Sequence, residues 1–232
     1  MTAPLVDASG VVRRFGLRTA VGGVDLRVEP GQKVAIVGAN GAGKTTLLKM
    51  VAGLIRPDEG EIQVLGHDYP EGRNDARARM GYLGHDPLVY LDLTAAQNLA
   101  LYAALFGVPE DRGFEELEHV GLLARAHDQV RTFSRGMVQR LGIARMLLHR
   151  PTLFLMDEPF SGLDTRAIEV VDRTLDALTA EQGLVFVTHD LDRAARHANR
   201  VMALFEGQTA FEVAIGDLTA EALQTKYSEL LA

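Results

Sequence analysis

The stretch Gly38-Ala39-Asn40-Gly41-Ala42-Gly43-Lys44-Thr45 constrains this chain more than any other. It fits the phosphate-loop pattern G-x-x-x-x-G-K-[ST] at every fixed position. A loop of this kind works only between a buried strand and a helix, and both flanks are legible. Lys33-Val34-Ala35-Ile36-Val37 reads as a short buried strand, and Thr46–Ala52 as a helix that Gly53 stops in the left-handed conformation glycine favours. Backbone N–H groups and the helix N-terminus would cradle β- and γ-phosphates, with Lys44 as a point charge and Thr45 on Mg²⁺. A ligand-free Gly-rich turn is the alternative, and the strand–loop–helix context speaks against it. The pattern predicts a nucleoside triphosphate site.

Composition limits what else the chain can be. Its 232 residues suffice for one well-buried core with an inserted subdomain. A net charge of -7 argues against nucleic acid as the main partner. With no cysteine there is no disulfide framework and no thiolate metal site. Met1-Thr2-Ala3-Pro4 lacks the basic start and apolar run of a signal peptide. Runs such as Leu153–Met156 are far too short to span a bilayer. No direct membrane span is expected.

Before the loop, residues 5–30 alternate apolar and polar positions and predict antiparallel strands. Phe15 lies between them; it could stack on a nucleotide base or serve as a hairpin core residue. After the loop helix, Glu61–Leu65 and Met80–Gly84 read as short strands, with a polar loop and short helix over 68–79. Thr94-Ala95-Ala96-Gln97 is a capping box opening a helix with Leu99, Tyr102, Leu105 and Phe106 on one face, closed by Gly107 and Pro109. Residues 110–130 are charged and helical in pattern. Ser134 is the natural N-cap of the helix carrying Met137, Leu141, Ala144 and Leu148, which reads as the clearest amphipathic helix of the chain and ends at Pro151.

Leu153-Phe154-Leu155-Met156-Asp157-Glu158 is a buried strand that runs into two carboxylates. Adjacent acids at such a point call for a cation or a proton to handle. In open α/β sheets this end faces the ligand. Asp157 is expected to help hold Mg²⁺, and Glu158 to orient and deprotonate an attacking water. A helix N-cap by either acid is the alternative. A helix with Ile168, Val171, Leu175 and Leu178 follows, ended by Gly183. Leu184–Thr188 is the next buried strand, with His189 at its carboxyl end, either structural or in contact with the γ-phosphate. Arg200–Phe205 and Thr209–Val213 pair as a hairpin around Glu206-Gly207, and residues 218–231 form a terminal helix.

With the loop, Ser134-Arg135-Gly136, Asp157-Glu158, Ser161–Asp164 and His189 in this order, the chain resembles an ATP-binding cassette ATPase over nearly its full length. The resemblance implies an α/β fold: a phosphate-loop NTPase (RecA-like) core with an N-terminal antiparallel β-subdomain and an inserted α-helical subdomain. The expected division is core and β-subdomain at 1–85 and 151–214, a helical signature subdomain at 86–150, and a C-terminal helix at 215–232. Cofactors implied are ATP and Mg²⁺. Phe15 matches the aromatic that stacks on adenine. Asn40, Gly41, Ala42, Gly43, Lys44, Thr45 and Thr46 match the nucleotide contacts, and Thr45 and Asp157 the metal residues. Glu158, His189 and Lys44 match the catalytic groups. Ser134, Arg135 and Gly136 match the signature, which binds the γ-phosphate held by the opposite protomer of a head-to-tail homodimer. Partners implied are transmembrane permease subunits, at the cytoplasmic face of the inner membrane.

The sequence departs from the family at two places. The signature reads Phe-Ser-Arg-Gly-Met rather than L-S-G-G-Q, a variant similar to those of export-type members. His85 replaces a glutamine that in the family reaches Mg²⁺ and the attacking water. Neutral imidazole could take that role through one nitrogen. A protonated His85 would repel the metal, so activity is expected to fall at acidic pH; a pH–rate profile unchanged by His85→Gln would refute this. Tyr82-Leu83-Gly84-His85, Leu93-Thr94-Ala95, Asn98-Leu99 and Asp157–Phe160 are similar to the ATP-binding subunit of the haem exporter of cytochrome c maturation. ATPases of other exporters, of drugs, lipids or polysaccharide, are the alternative, with a soluble cassette protein behind them.

Overall fold

A computed structural model describes residues 3–217 and 220–231. Met1, Thr2 and residues 218–219, on which the N-terminal and terminal-helix expectations partly fall, lie outside the described residues, as does Ala232.

The N-terminal part is a sheet of order β2-β1-β4-β5. Strand β1 (Val6–Phe15) pairs antiparallel with β2 (Arg18–Val28) on one side and β4 (Glu59–Val64) on the other, and β5 is the short His67–Asp68. The second sheet has six strands in the order β10-β9-β3-β8-β7-β6. Here β3 (Lys33–Val37), β6 (Met80–Leu83), β7 (Leu153–Asp157), β8 (Gly183–Val187) and β9 (Arg200–Phe205) run parallel, and β10 (Gln208–Ala214) is an antiparallel edge. The β9–β10 turn has φ 48° at Glu206 and 80° at Gly207, positive at both central residues, as a tight hairpin requires.

The central strands are covered on both faces, which explains their near-continuous apolar runs. Alternation along each strand divides the core in two. Val34, Ile36, Leu155, Val185 and Val187 face the β-subdomain and the loop helix α1 (Lys44–Val51) with Leu47 and Leu48. Ala35, Val37, Phe154, Met156, Leu184 and Phe186 face the opposite way, toward the helices. A short helix α2 (Arg73–Arg77) precedes β6. Between β6 and β7 the chain builds α3 (Ala95–Phe106), α4 (Arg112–His119) and α5 (Arg135–Leu147). Helix α6 (Thr165–Asp176) links β7 to β8, α7 (Leu191–His197) links β8 to β9, and α8 is Ala220–Leu231.

The capping box forms as read: Gln97 N–H donates to Thr94 Oγ1 at 3.1 Å and Thr94 N–H to Gln97 Oε1 at 2.9 Å. Three expectations are corrected. On α3 the buried face is Ala95, Asn98, Leu99 and Ala103, whereas Leu105 is 71% exposed. Helix α5 is not amphipathic in the ordinary sense, being enclosed by neighbours on nearly every side. Two of its arginines are buried and feed carbonyl groups: Arg140 Nη1 donates to Val120 O at 2.9 Å, and Arg145 Nη2 to Tyr82 O at 2.6 Å. Finally, α6 ends at Asp176, so Leu178 lies beyond it, and Gly183 opens β8 instead of stopping the helix.

Candidate active site

Three neighbouring strands, β3, β8 and β7, end at the same edge of the sheet and carry the candidate groups there. After β3 the chain turns through the loop into α1. Gly43 occupies the N-cap position with φ 102°, and a Cβ there would stand 2.2 Å from Ala20 O. Only glycine allows the loop to press against β2 in this way. With no side-chain cap on α1, its first N–H groups stay free for an anion.

Lys44 is only 7% exposed, and its Nζ donates to Gly38 O at 2.8 Å and Ala39 O at 3.0 Å. The loop's own carbonyls thus hold the ammonium in place. Burial lowers the Lys44 pKa, and the carboxylates of Glu158 and Asp157 work against that shift. Thr45 Oγ1 donates to Asp157 Oδ1 at 2.9 Å. Asp157 closes β7 and is 3% exposed. A hydroxyl and a buried carboxylate form an all-oxygen donor set, the chemistry that suits a hard divalent cation. No group of three or more His, Cys, Asp or Glu is gathered as a metal cage among the described residues. Mg²⁺ is a hard cation of the kind that takes one or two protein oxygens and fills its shell with phosphates and water.

Glu158 follows in a left-handed conformation with φ 51°. Its side chain meets His189, whose Nδ1 lies 3.0 Å from Oε2. Neither acid caps a helix: α6 is capped by Asp164, whose Oδ1 accepts from Ala167 N–H at 2.8 Å.

Two cavities share Glu158 as a wall. The first, of about 370 Å³, is lined by Phe15, Arg18, Asn40, Gly41, Gly43, Lys44, Thr45 and Thr46 together with Glu158. Ala42, 5% exposed, is buried beneath it. The Phe15 ring is 48% exposed, and the Arg13 guanidinium sits 4.8 Å from its centroid. Arg13 is itself fixed by Asp58 at 2.9 Å. The second cavity, of about 260 Å³, is lined by His85, Phe133, Arg135, Gln139, Asp157, Glu158 and Ser161, among others. The structure therefore places His85 on the far side of Glu158 from the loop.

Ser134 and Gly136 line neither cavity. Ser134 caps α5, accepting from Met137 N–H at 3.3 Å. Gly136 packs so tightly on the next segment that a Cβ would stand 2.6 Å from Asp164 Oδ2. Arg135 Nη2 reaches Ser161 O at 3.4 Å. Within one chain, then, Ser134 and Gly136 stand apart from the loop site. Sequence reasoning missed Arg18, whose Nη2 donates to Gly41 O at 3.0 Å, although its place just after Phe15-Gly16-Leu17 was visible.

A parallel sheet with a phosphate loop, a buried acid pair and a histidine at adjacent strand ends defines a nucleotide-hydrolysing α/β protein. Residues 21–161 match the family described as ABC transporter. The chain belongs to that family, as an ATP-binding ATPase subunit. It is 34% identical over 212 residues to the bacitracin transport ATP-binding protein BcrA of Bacillus licheniformis, covering 90% of this chain and 69% of that protein. It is also 34% identical over 217 residues to the Nod factor export ATP-binding protein I of Cupriavidus metallidurans, covering 91% and 71%. Among solved structures, the dimeric post-hydrolysis state of the ATP-binding cassette MJ0796, bound to ADP and Pi, superposes with a TM-score of 0.83 at 26% identity, covering 90% of this chain and 98% of that one.

Proposed function

We propose that the chain hydrolyses MgATP in the first cavity, with Glu158 as the base, and thereby drives export through separate membrane subunits. The observation that carries this is the meeting of Thr45, Asp157, Glu158 and His189 through bonds of 2.9 and 3.0 Å. Phosphoryl transfer asks little covalent chemistry of a protein, so positioning and charge neutralisation suffice. Adenine stacks on the open face of Phe15, opposite Arg13. Asn40, Gly41, Gly43 and Thr46 line the phosphate path, Ala42 supports it from beneath, and Lys44 supplies the cation. Mg²⁺ neutralises phosphate charge when bound, and Thr45 and Asp157 are the residues that hold it. Glu158 orients water and takes its proton; His189 fixes the Glu158 carboxylate. His85 shares the lining of the second cavity with Asp157 and Glu158, which supports a role beside the metal.

Ser134, Arg135 and Gly136 act on the nucleotide of a second copy. Their separation from the loop cavity supports this, as does the dimeric state in which the MJ0796 cassette was solved. Among the described residues no helix is long and apolar enough to cross a membrane. The membrane subunits dock beside the segment after His85, where Leu88, Tyr90 and Leu91 are 45, 55 and 54% exposed. On this reading the subunit sits peripherally, at the cytoplasmic face of the inner membrane.

The relative named for Nod factor export supports an exporter, whereas one named for methionine import, 37% identical, fits a transporter of either direction. Haem export for cytochrome c maturation is the narrower reading, and the short stretches behind it have folding roles of their own. Asn98 is fully buried, accepts from Tyr90 N–H at 2.7 Å and donates to Tyr90 O at 2.9 Å, while Thr94 caps α3. Affinity purification from gently solubilised native membranes tests the proposal. Co-purification of a permease supports it, and haem-exporter subunits would make haem the cargo. Recovery of no membrane protein, where a known transporter pair survives the same treatment, would refute the coupling to transport.

A further inference from the structure

The turn that presents Glu158 is held in a conformation a non-glycine residue rarely adopts, and such conformations persist only where the surroundings fix them. Two backbone bonds contribute: Glu158 N–H to Val187 O at 3.0 Å, and Ser161 N–H to Glu158 O at 3.1 Å. The next anchor is a side chain that the mechanism above does not use. Phe160 stacks on His197, with centroids 5.4 Å apart and planes 17° apart, and the Arg193 guanidinium lies 4.9 Å from the same ring.

Both partners of Phe160 are tied to one carboxylate. His197 is 4% exposed, and its Nε2 lies 2.9 Å from Asp172 Oδ1. Arg193 Nη1 reaches the two Asp172 oxygens at 3.2 and 3.3 Å. Burial lowers the His197 pKa, which favours the neutral ring, and the Asp172 contact assigns its proton to Nε2. Asp172 lies on α6, whereas His197 and Arg193 lie on α7. Helix α7 begins immediately after His189 and its cap Asp190, whose Oδ1 accepts from Arg193 N–H at 3.0 Å. The helix that presents the histidine at its start therefore grips the glutamate's turn near its end.

We propose that Phe160, His197 and Asp172 form a clamp that keeps Glu158 and His189 in mutual register, with His197 as a positioning residue for hydrolysis. Asp172 fixes the imidazole, the imidazole face fixes Phe160, and Phe160 fixes the turn two residues after Glu158. The proposal rests on Glu158 being the base. It assigns a task to a buried histidine that lies outside both cavities.

The test compares Phe160→Leu, His197→Leu, the double variant and Phe160→Tyr in the full-length protein. Each Leu variant is expected to lower kcat about tenfold, with KM for ATP changed less than about twofold, because misplacement of the base affects the chemical step and not nucleotide capture. Phe160→Tyr keeps the stacking ring and should keep the wild-type kcat. The double variant should be no slower than either single one, since both remove one contact. Hydrogen exchange with MgATP present provides a readout independent of turnover: residues 158–164 should exchange faster in both Leu variants while the 38–45 loop is unchanged. Phe160 is only half-buried, so Phe160→Leu carries the test should His197→Leu fail to fold. Wild-type kcat in a folded Leu variant, losses that multiply in the double variant, or unchanged exchange at 158–164 would overturn the clamp. Failure of the base assignment itself would show differently, as unimpaired turnover in Glu158→Gln.

Discussion

Thr45 and Asp157 lie 112 positions apart in the chain and meet through a hydrogen bond of 2.9 Å, hydroxyl to carboxylate. One lies in the first turn of the loop helix and the other closes β7, so the contact forms only when β3, β8 and β7 have assembled in register. Asp157→Asn keeps an acceptor for the Thr45 hydroxyl and removes the charge. Apparent Mg²⁺ affinity is expected to weaken by about 10–100-fold. Titrating ATPase activity with Mg²⁺, alongside metal-free nucleotide binding that should be retained, checks this.

Glu158→Gln preserves shape and removes the base. Turnover should fall by roughly 10²–10⁴ while ATP still binds. The variant should accumulate as an ATP-bound dimer in size-exclusion chromatography with light scattering. A persistent monomer in that mixture would refute the sharing of nucleotide between two copies.

Gly43→Ala puts a methyl carbon 2.2 Å from Ala20 O at a φ of 102°. Destabilisation of about 1–3 kcal/mol and loss of nucleotide binding are expected. Gly66 also has a positive φ, 82°, but no atom lies within 4 Å of the Cβ position. Gly66→Ala should therefore cost about 1–2 kcal/mol for the backbone alone and leave nucleotide binding intact. Denaturant midpoints and a fluorescent nucleotide titration separate the two cases.

Burial pushes the phenols of Tyr69 and Tyr82 up to about 12. Each folded-state value lies above the unfolded one of about 10. The native state thus retains protons that the unfolded chain releases, and the stability these groups contribute is complete below pH 10 and is lost as pH rises toward 12. Tyr69 Oη donates to Val51 O at 3.0 Å, a bond that ionisation removes. Urea midpoints should fall between pH 10 and 12, and fall less steeply in Tyr69→Phe.

The parts of the fold that could be read in advance were those with local causes. The loop, its flanking strand and helix, the capping box and the β9–β10 turn each follow from backbone or capping chemistry within a few residues. The acid pair was legible because β7 is an apolar run that ends abruptly in charge. Helix α5 was misread because Arg140 and Arg145 look like a solvated face, and only the assembled neighbours supply the carbonyls that bury them. Leu105 failed for the converse reason, since spacing assigns it to an apolar face that the tertiary structure leaves open. No local pattern could place Phe160 against His197, a contact made by segments on two different strand ends.

The path between β6 and β7 has a mechanical consequence. These strands are parallel neighbours, paired from Met80 with Leu153 to Leu83 with Met156. The chain leaves one end of this pair and must return to the other, so α3 to α5 are the bridge that makes the pairing possible and not an ornament that could be excised. Any swing of these helices must be absorbed near Gly84–Pro87 and His149–Thr152, where they join the sheet. At the second joint Arg150 already sits at φ 50° and Gln182 Nε2 fastens Pro151 O at 3.0 Å. One end of the bridge is thus bolted to the sheet, and the other opens directly onto His85 and the two acids.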